Sequence, residues 1–184
     1  MKKIIIIAAA FLGLAYSSNA QNASATASQS VSLDLSNAIA ITFTGSGTNT
    51  GGAVTLPFST VSDYANGVTS TAQQLKVQSN LAFDVAVKSN ATNFTYTGSY
   101  TTGTTMPVSG VLKLMVTANS TGGTVASPFS TSSYATLTDA DQDLITSGTY
   151  GSNQLFSIQY KAEPGFTYPA GTYTTSVVYT ATQQ

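Results

Sequence analysis

Val31-Ser32-Leu33-Asp34-Leu35-Ser36-Asn37-Ala38-Ile39-Ala40-Ile41-Thr42-Phe43 sets its bulky apolar side chains on odd positions and small or polar ones between them, with only Asn37 out of step. An extended chain turns successive side chains to opposite faces, so these 13 residues carry one apolar face and read as a half-buried β-strand. The same period returns at Leu75 and Val77, at Phe83, Val85 and Val87, at Leu112, Leu114 and Val116, at Phe156, Ile158 and Tyr160, and at Tyr173, Val177 and Tyr179. Clusters such as Gly45-Ser46-Gly47-Thr48-Asn49 separate these runs with turn chemistry. Thr, Val and Tyr, common throughout, suit a pleated surface. No amphipathic helix of useful length is expected, and the chain reads as an all-β sandwich.

The pattern also repeats at longer range. Thr50-Gly51-Gly52-Ala53-Val54-Thr55-Leu56-Pro57-Phe58-Ser59-Thr60 returns 71 positions later as Thr121-Gly122-Gly123-Thr124-Val125-Ala126-Ser127-Pro128-Phe129-Ser130-Thr131. Phe83 to Lys88 matches Phe156 to Lys161, each Phe-x-β-branched-x-apolar-Lys, and Phe94 to Thr102 matches Phe166 to Thr175. Three blocks in one order suggest an internal duplication of about 70 residues, a period longer than that of most solenoid repeats, with pseudo-repeats at 31–106 and 107–184. A unit that small buries too little surface to be secure alone. Two halves of one sandwich are therefore expected, with two small sandwiches in tandem as the alternative.

Composition bounds the chemistry. Of 184 residues only 7% are charged, against about 25% in ordinary soluble domains. The chain has no Cys, His, Trp or Arg; its six basic residues are Lys2, Lys3, Lys76, Lys88, Lys113 and Lys161. Thiolate and imidazole metal sites, disulfides and Ser/His/Asp or Cys/His catalysis are thereby excluded. A nucleic-acid footprint has too few cations to form.

Residues 1–20 run from Lys2-Lys3 through the apolar stretch Ile4 to Ala15 and end on Ser18-Asn19-Ala20. This is the pattern of a secretory signal peptide cut between Ala20 and Gln21. The apolar run is shorter than the roughly 20 residues of a spanning helix, so no membrane span is expected after cleavage. No Cys follows the run to accept a lipid. The exported chain carries four Lys against seven acids, a net charge of −3. It divides into a leader at 21–30 and a sandwich at 31–184. A secreted location is expected, outside the cell or at its surface, with the periplasm as the other destination.

Candidate sites are few. Asp139, Asp141 and Asp143 alternate like the opening of a calcium loop, but Leu144 stands where the loop Gly belongs and Tyr150 where the bidentate Glu belongs. The other reading is a single helical turn capped by Thr138 or Asp139. No other cofactor is expected. Asp34, Asp63, Asp84 and Glu163 are scattered, which gives no carboxylate pair for hydrolysis. With the Lys residues they are expected to protect strand edges, Asp84 from the outward side of its strand. No enzyme is expected. Tyr64, Tyr134 and Tyr150, with Tyr96, Tyr100 and Tyr168, fall near loop or strand ends. There they would either stack on sugar rings or cover a core rim with the hydroxyl in water.

Glu163 to Thr182, with Pro169-Ala170-Gly171-Thr172-Tyr173 leading into an alternating run, resembles the final strand of bacterial secreted β-sandwich proteins. These are the spore coat U and chaperone–usher pilin-like group and the WxL-type surface domains. The likeness covers about 20 residues; the chain has no Trp near Val178-Tyr179-Thr180 and no disulfide. It implies an immunoglobulin-like or pilin-like sandwich with a surface role. In that setting Gln21 to Gln29, with Ala23, Ala25 and Ala27 in phase with Val31, would be either a donor strand for a neighbour's sheet edge or a flexible leader. The expected function is a secreted structural or adhesive surface component, of fimbrial-subunit type, whose partners are itself or other surface proteins. The alternative is a carbohydrate-binding module with glycans as partners.

Overall fold

The structure, a computed structural model, describes residues 25–184. The proposed signal peptide and its cleavage point lie outside them, as do residues 21–24 of the leader. The chain divides after Leu35, and the compact part is Ser36–Gln184. In the preceding part, described residues 25–35 form no strand and are exposed throughout.

The elements are β1 (Ile39–Phe43), α1 (Val61–Asn66), β2 (Val68–Thr69), β3 (Gln73–Ser79), β4 (Phe83–Ser89), β5 (Thr95–Thr97), β6 (Leu112–Ser120), β7 (Thr124–Val125), β8 (Ala135–Thr136), β9 (Gln142–Gly148), β10 (Gly151–Ala162), β11 (Thr172–Thr174) and β12 (Val177–Gln183). The first sheet runs β1-β3-β10-β6-β8, with β2 also on β10; the second runs β12-β4-β9-β7; β5 and β11 make a small ribbon. All pairings are antiparallel. The expected all-β sandwich is what forms. Both main sheets draw strands from both halves of the chain and enclose one apolar cluster.

The alternating runs place their bulky members in that cluster. Leu75 and Val77 from β3, Phe83, Val85 and Val87 from β4, Leu112, Leu114 and Val116 from β6, and Phe156, Ile158 and Tyr160 from β10 are all buried. A period of two holds across these strands because one face meets the other sheet and the opposite face meets water. Gly148 lies over the Phe83 ring, and a Cβ there would come within 2.6 Å of it. The ring leaves room for no side chain at that point.

Four expectations change. The strand read from Val31 to Phe43 forms only from Ile39, and Val31, Leu33 and Leu35 remain 81%, 81% and 87% exposed. The helical turn read around Thr138–Leu144 is absent: Gln142–Gly148 is strand β9, which buries both Leu144 and Ile145. Successive residues can both point inward because the β4–β9 register shifts at a bulge. At a second shift in the same pairing, Ser147 takes a positive φ of 56° and donates its N–H to Asp84 Oδ1 at 2.8 Å. Asp84 therefore braces that shift and does more than protect an edge. A short helix also forms where none was read. In α1, Thr60 caps Asp63 N, while the Asp63 carboxylate accepts from Thr60 N at 2.7 Å and Ser59 N at 2.8 Å. Those backbone donors, Ser59 first, hold the Asp63 carboxyl below its usual range.

The internal duplication is not shown: one pair of repeat blocks forms strands in both copies, and another pair differs in local structure. Phe83–Lys88 and Phe156–Lys161 are strands of opposite sheets. Gly51–Phe58 has no regular structure, whereas its counterpart contains β7 and a turn that buries Phe129.

A pair of tyrosines joins the two sheets. The Tyr160 and Tyr179 hydroxyls meet at 2.8 Å, from β10 and β12. Burial pushes Tyr160 up to about 12. Burial, with Tyr160 beside it, raises Tyr179 well above the ordinary phenol range. A phenol that ionises less readily in the fold than in the open chain stabilises fully below about pH 10. That contribution is lost as pH rises from there through about 12, at about 1.4 kcal/mol per pH unit for each group. Denaturant unfolding at pH 8 and pH 11 tests this. Replacing both tyrosines by Phe should leave stability at pH 8 within about 1 kcal/mol of wild type and make the alkaline loss shallower. Tyr179→Phe alone should cost about 1–3 kcal/mol at pH 8, because it strands the Tyr160 hydroxyl.

Candidate functional site: an open seam between two sheet edges

A sandwich has two open sides, and here they differ. On one side the sheets end in β8 and β7, each two residues long, too short to template another strand. On the other they end in β1 and β12, five and seven residues long, with no charged residue and no Pro in either. Charge and Pro are the usual devices that keep an edge from pairing with another chain.

The ladder directions follow from register. Ser176 O accepts from Asn90 N, and Gln184 N donates to Ala82 O, both at 2.9 Å. The even residues of β12 thus turn their backbone groups toward β4. Val177, Tyr179, Ala181 and Gln183 turn theirs to the free edge, and their side chains face inward. In β1, Asn80 N donates to Ala38 O at 3.2 Å and Thr44 N to Gln74 O at 2.9 Å, which leaves Ile39 and Ile41 facing away from β3. Among the described residues, none of these edge N–H and C=O groups has a backbone or side-chain partner.

Between the two edges lies a crevice of about 170 Å³ lined by Ile41, Phe43, Leu75, Val177 and Tyr179. Phe43 meets Tyr179 edge-on with ring centres 6.0 Å apart. Gln183 closes one end, its amide nitrogen donating to Ala38 O at 2.9 Å, Asn80 Oδ1 at 2.9 Å and Ser79 Oγ at 3.0 Å. The other end opens into a void of about 840 Å³ beneath Thr50–Phe58. Phe43, Asn49 and Val177 line both spaces.

The residues singled out in the sequence lie elsewhere or form other contacts. Asp139 accepts from the Thr92 hydroxyl at 2.6 Å, Asp141 pairs with Lys88 at 3.1 Å, and Asp143 is exposed on β9. Among the described residues no group of three or more acids converges to hold a metal ion. Tyr134 donates to Gln159 Oε1 at 2.7 Å, and Tyr150 stands alone at 70% exposed. Tyr64 lies between Phe58 and Phe166, stacked on the latter at 5.5 Å with 23° between the rings. Tyr96 and Tyr173 pair across the ribbon, with Tyr168 against Tyr173. Tyr100 is exposed and binds the Tyr96 hydroxyl through its N–H. Glu163 is held by Lys113 and by Lys161 at 2.5 Å, and the Lys113 contact leads in lowering its carboxyl below the usual range. No helix among the described residues is long and apolar enough to cross a membrane.

The seam was missed because sequence periodicity shows which face of a strand is apolar, and not which edge lacks a neighbour. Its one visible signal was the absence of charge from Val177 to Gln184. Neither the family models nor the curated proteins searched match this chain. With the three acids apart, millimolar calcium should leave the thermal midpoint within about 1 °C of the calcium-free value, by the mass-action relation for a ligand that finds no site; a rise of several degrees would restore the ion site.

Proposed function

We propose that the chain is an exported, non-enzymatic surface protein that assembles with copies of itself, the seam of one copy receiving the segment around Val31–Leu35 of the next as an added strand. The carrying observation is that one chain holds both an apolar strand pattern with no sheet to join and a long sheet edge with no strand on it. Added-strand pairing joins these through main-chain hydrogen bonds, and alternate side chains enter pockets. Val31, Leu33 and Leu35 have the parity this needs, and each contributes roughly 1.5–3 kcal/mol when fully buried. Ala25 and Ala27 continue that parity with little apolar surface. Val31, Leu33 and Leu35 thus carry the specificity, residues 27–30 extend the same strand, and the residues before them serve as tether. The pilin-like resemblance of Glu163–Thr182, the export signal and the missing catalytic side chains support the same reading.

A second reading, carbohydrate binding, is supported by the run Phe58–Tyr64–Phe166, whose Phe166 ring is 68% exposed. Glycan-array binding by the monomer that disappears in Phe166→Ala would favour it.

The assembly reading is tested with the exported chain carrying Val31→Asp and Leu33→Asp, sized by light scattering across a concentration series. Wild type should form concentration-dependent multimers, and the double variant should remain monomeric, with affinity lowered at least a hundredfold, about 2.7 kcal/mol. Equal multimers in both proteins would remove the donor role.

A further inference from the structure

We infer that Gly51–Phe58 is a displaceable strap, which holds the inner end of the seam until residues 27–35 of a second copy take its place. This rests on the assembly reading and adds the element that controls it. Among the described residues the backbone groups of Gly51 through Phe58 make no hydrogen bond. Both flanks, by contrast, are fastened. Thr50 O accepts from Ser46 Oγ at 2.7 Å and from Thr48 Oγ1 at 2.9 Å, and Ser59 N donates to Asp63 Oδ2 at 2.8 Å. The stretch is therefore anchored at its ends and loose between them.

Side chains hold it only lightly. Leu56 and Phe58 are half-buried, while Ala53, Val54, Thr55 and Pro57 are exposed. Gly51 lies on the Phe43 ring, where a Cβ would come to 3.1 Å. Beneath the strap the void of about 840 Å³ is walled by Phe94, Met106, Val111, Leu112, Tyr160 and Tyr173. A segment that neither bonds its backbone nor fills the space below it is easily exchanged, since displacing it gives up little burial and no hydrogen bond.

Length indicates which end of the seam yields. Residues 27–35, extended, cover roughly 30 Å, and the seven residues of β12 about 23 Å, at ~3.3 Å per residue. The excess has to pass beyond Gln183 or beyond Val177. At Gln183 three hydrogen bonds close the seam. Beyond Val177 the space is already open under the strap.

The test is fluorescence anisotropy with a labelled peptide of residues 25–36, titrated against the exported chain at concentrations where it is monomeric. Leu56→Ala loosens the strap and should bind the peptide about tenfold more tightly. Gly52→Ala meets nothing within 4 Å; it lowers the freedom of the displaced strap and should bind about threefold more weakly. Gly52→Ala alone decides if Leu56→Ala does not fold. Peptide binding that is equal in wild type and variants would overturn the strap's role and leave the assembly reading standing. Absence of binding to all three would overturn both. In the wild-type complex, exchange protection at Val177, Tyr179, Ala181 and Gln183 should mark the edge where the peptide sits.

Discussion

The core of this molecule is built on two strands, one interior to each sheet, β4 with Phe83, Val85 and Val87 and β10 with Phe156, Ile158 and Tyr160. No disulfide is present, and few charges are available to anchor the fold in their place. Apolar burial between the sheets is the main favourable term, and both strands are central, so their backbone groups are bonded on both edges. The cost of this arrangement appears at the periphery. Each sheet must end somewhere, and its last strand keeps one row of unbonded N–H and C=O groups.

The two sides of the sandwich meet that constraint differently. At β7 and β8 the terminal strands shrink to two residues. At β1 and β12 they keep their length, carry no charge and enclose apolar space. A low charge share means different things on these two sides. Over most of the surface it is the Ser and Thr coat of a β protein, while along the seam it removes what would keep a second chain away. The Tyr160–Tyr179 pair joins the sheets at this side, and Gln183 fastens one end of the outer edge.

Much of the fold was legible. Leu75 and Val77, Leu112 to Val116, and Phe156 to Tyr160 announced their strands and inward faces, because a strand covered on one side by a second sheet must alternate. Other stretches were illegible for identifiable reasons. Asp139, Asp141 and Asp143 look like an ion loop, but Asp143 lies on strand β9 while Asp139 accepts from Thr92 and Asp141 pairs with Lys88, which leaves each acid in a different setting. Thr60 and Asp63 form a cap that could have been read from the Thr-x-x-Asp spacing, although the helix behind it is only six residues long. Gly51–Phe58 matches Gly122–Phe129 in sequence yet lies without strand or ladder, since likeness of residues does not supply a neighbouring strand.

By itself the sequence determined the all-β class, the inward faces of the central strands and the lack of thiol, imidazole and guanidinium side chains, because these follow from side-chain period and from residue types present or absent. Only the tertiary structure decided where pairing stops: that Val31, Leu33 and Leu35 lie outside the sheet while Ile39, Ile41 and Phe43 lie in it, and that β12 ends a sheet with its outer edge bare. The physical reason is that apolar alternation is a property of one strand, whereas an unpaired edge is a relation between strands distant in the chain.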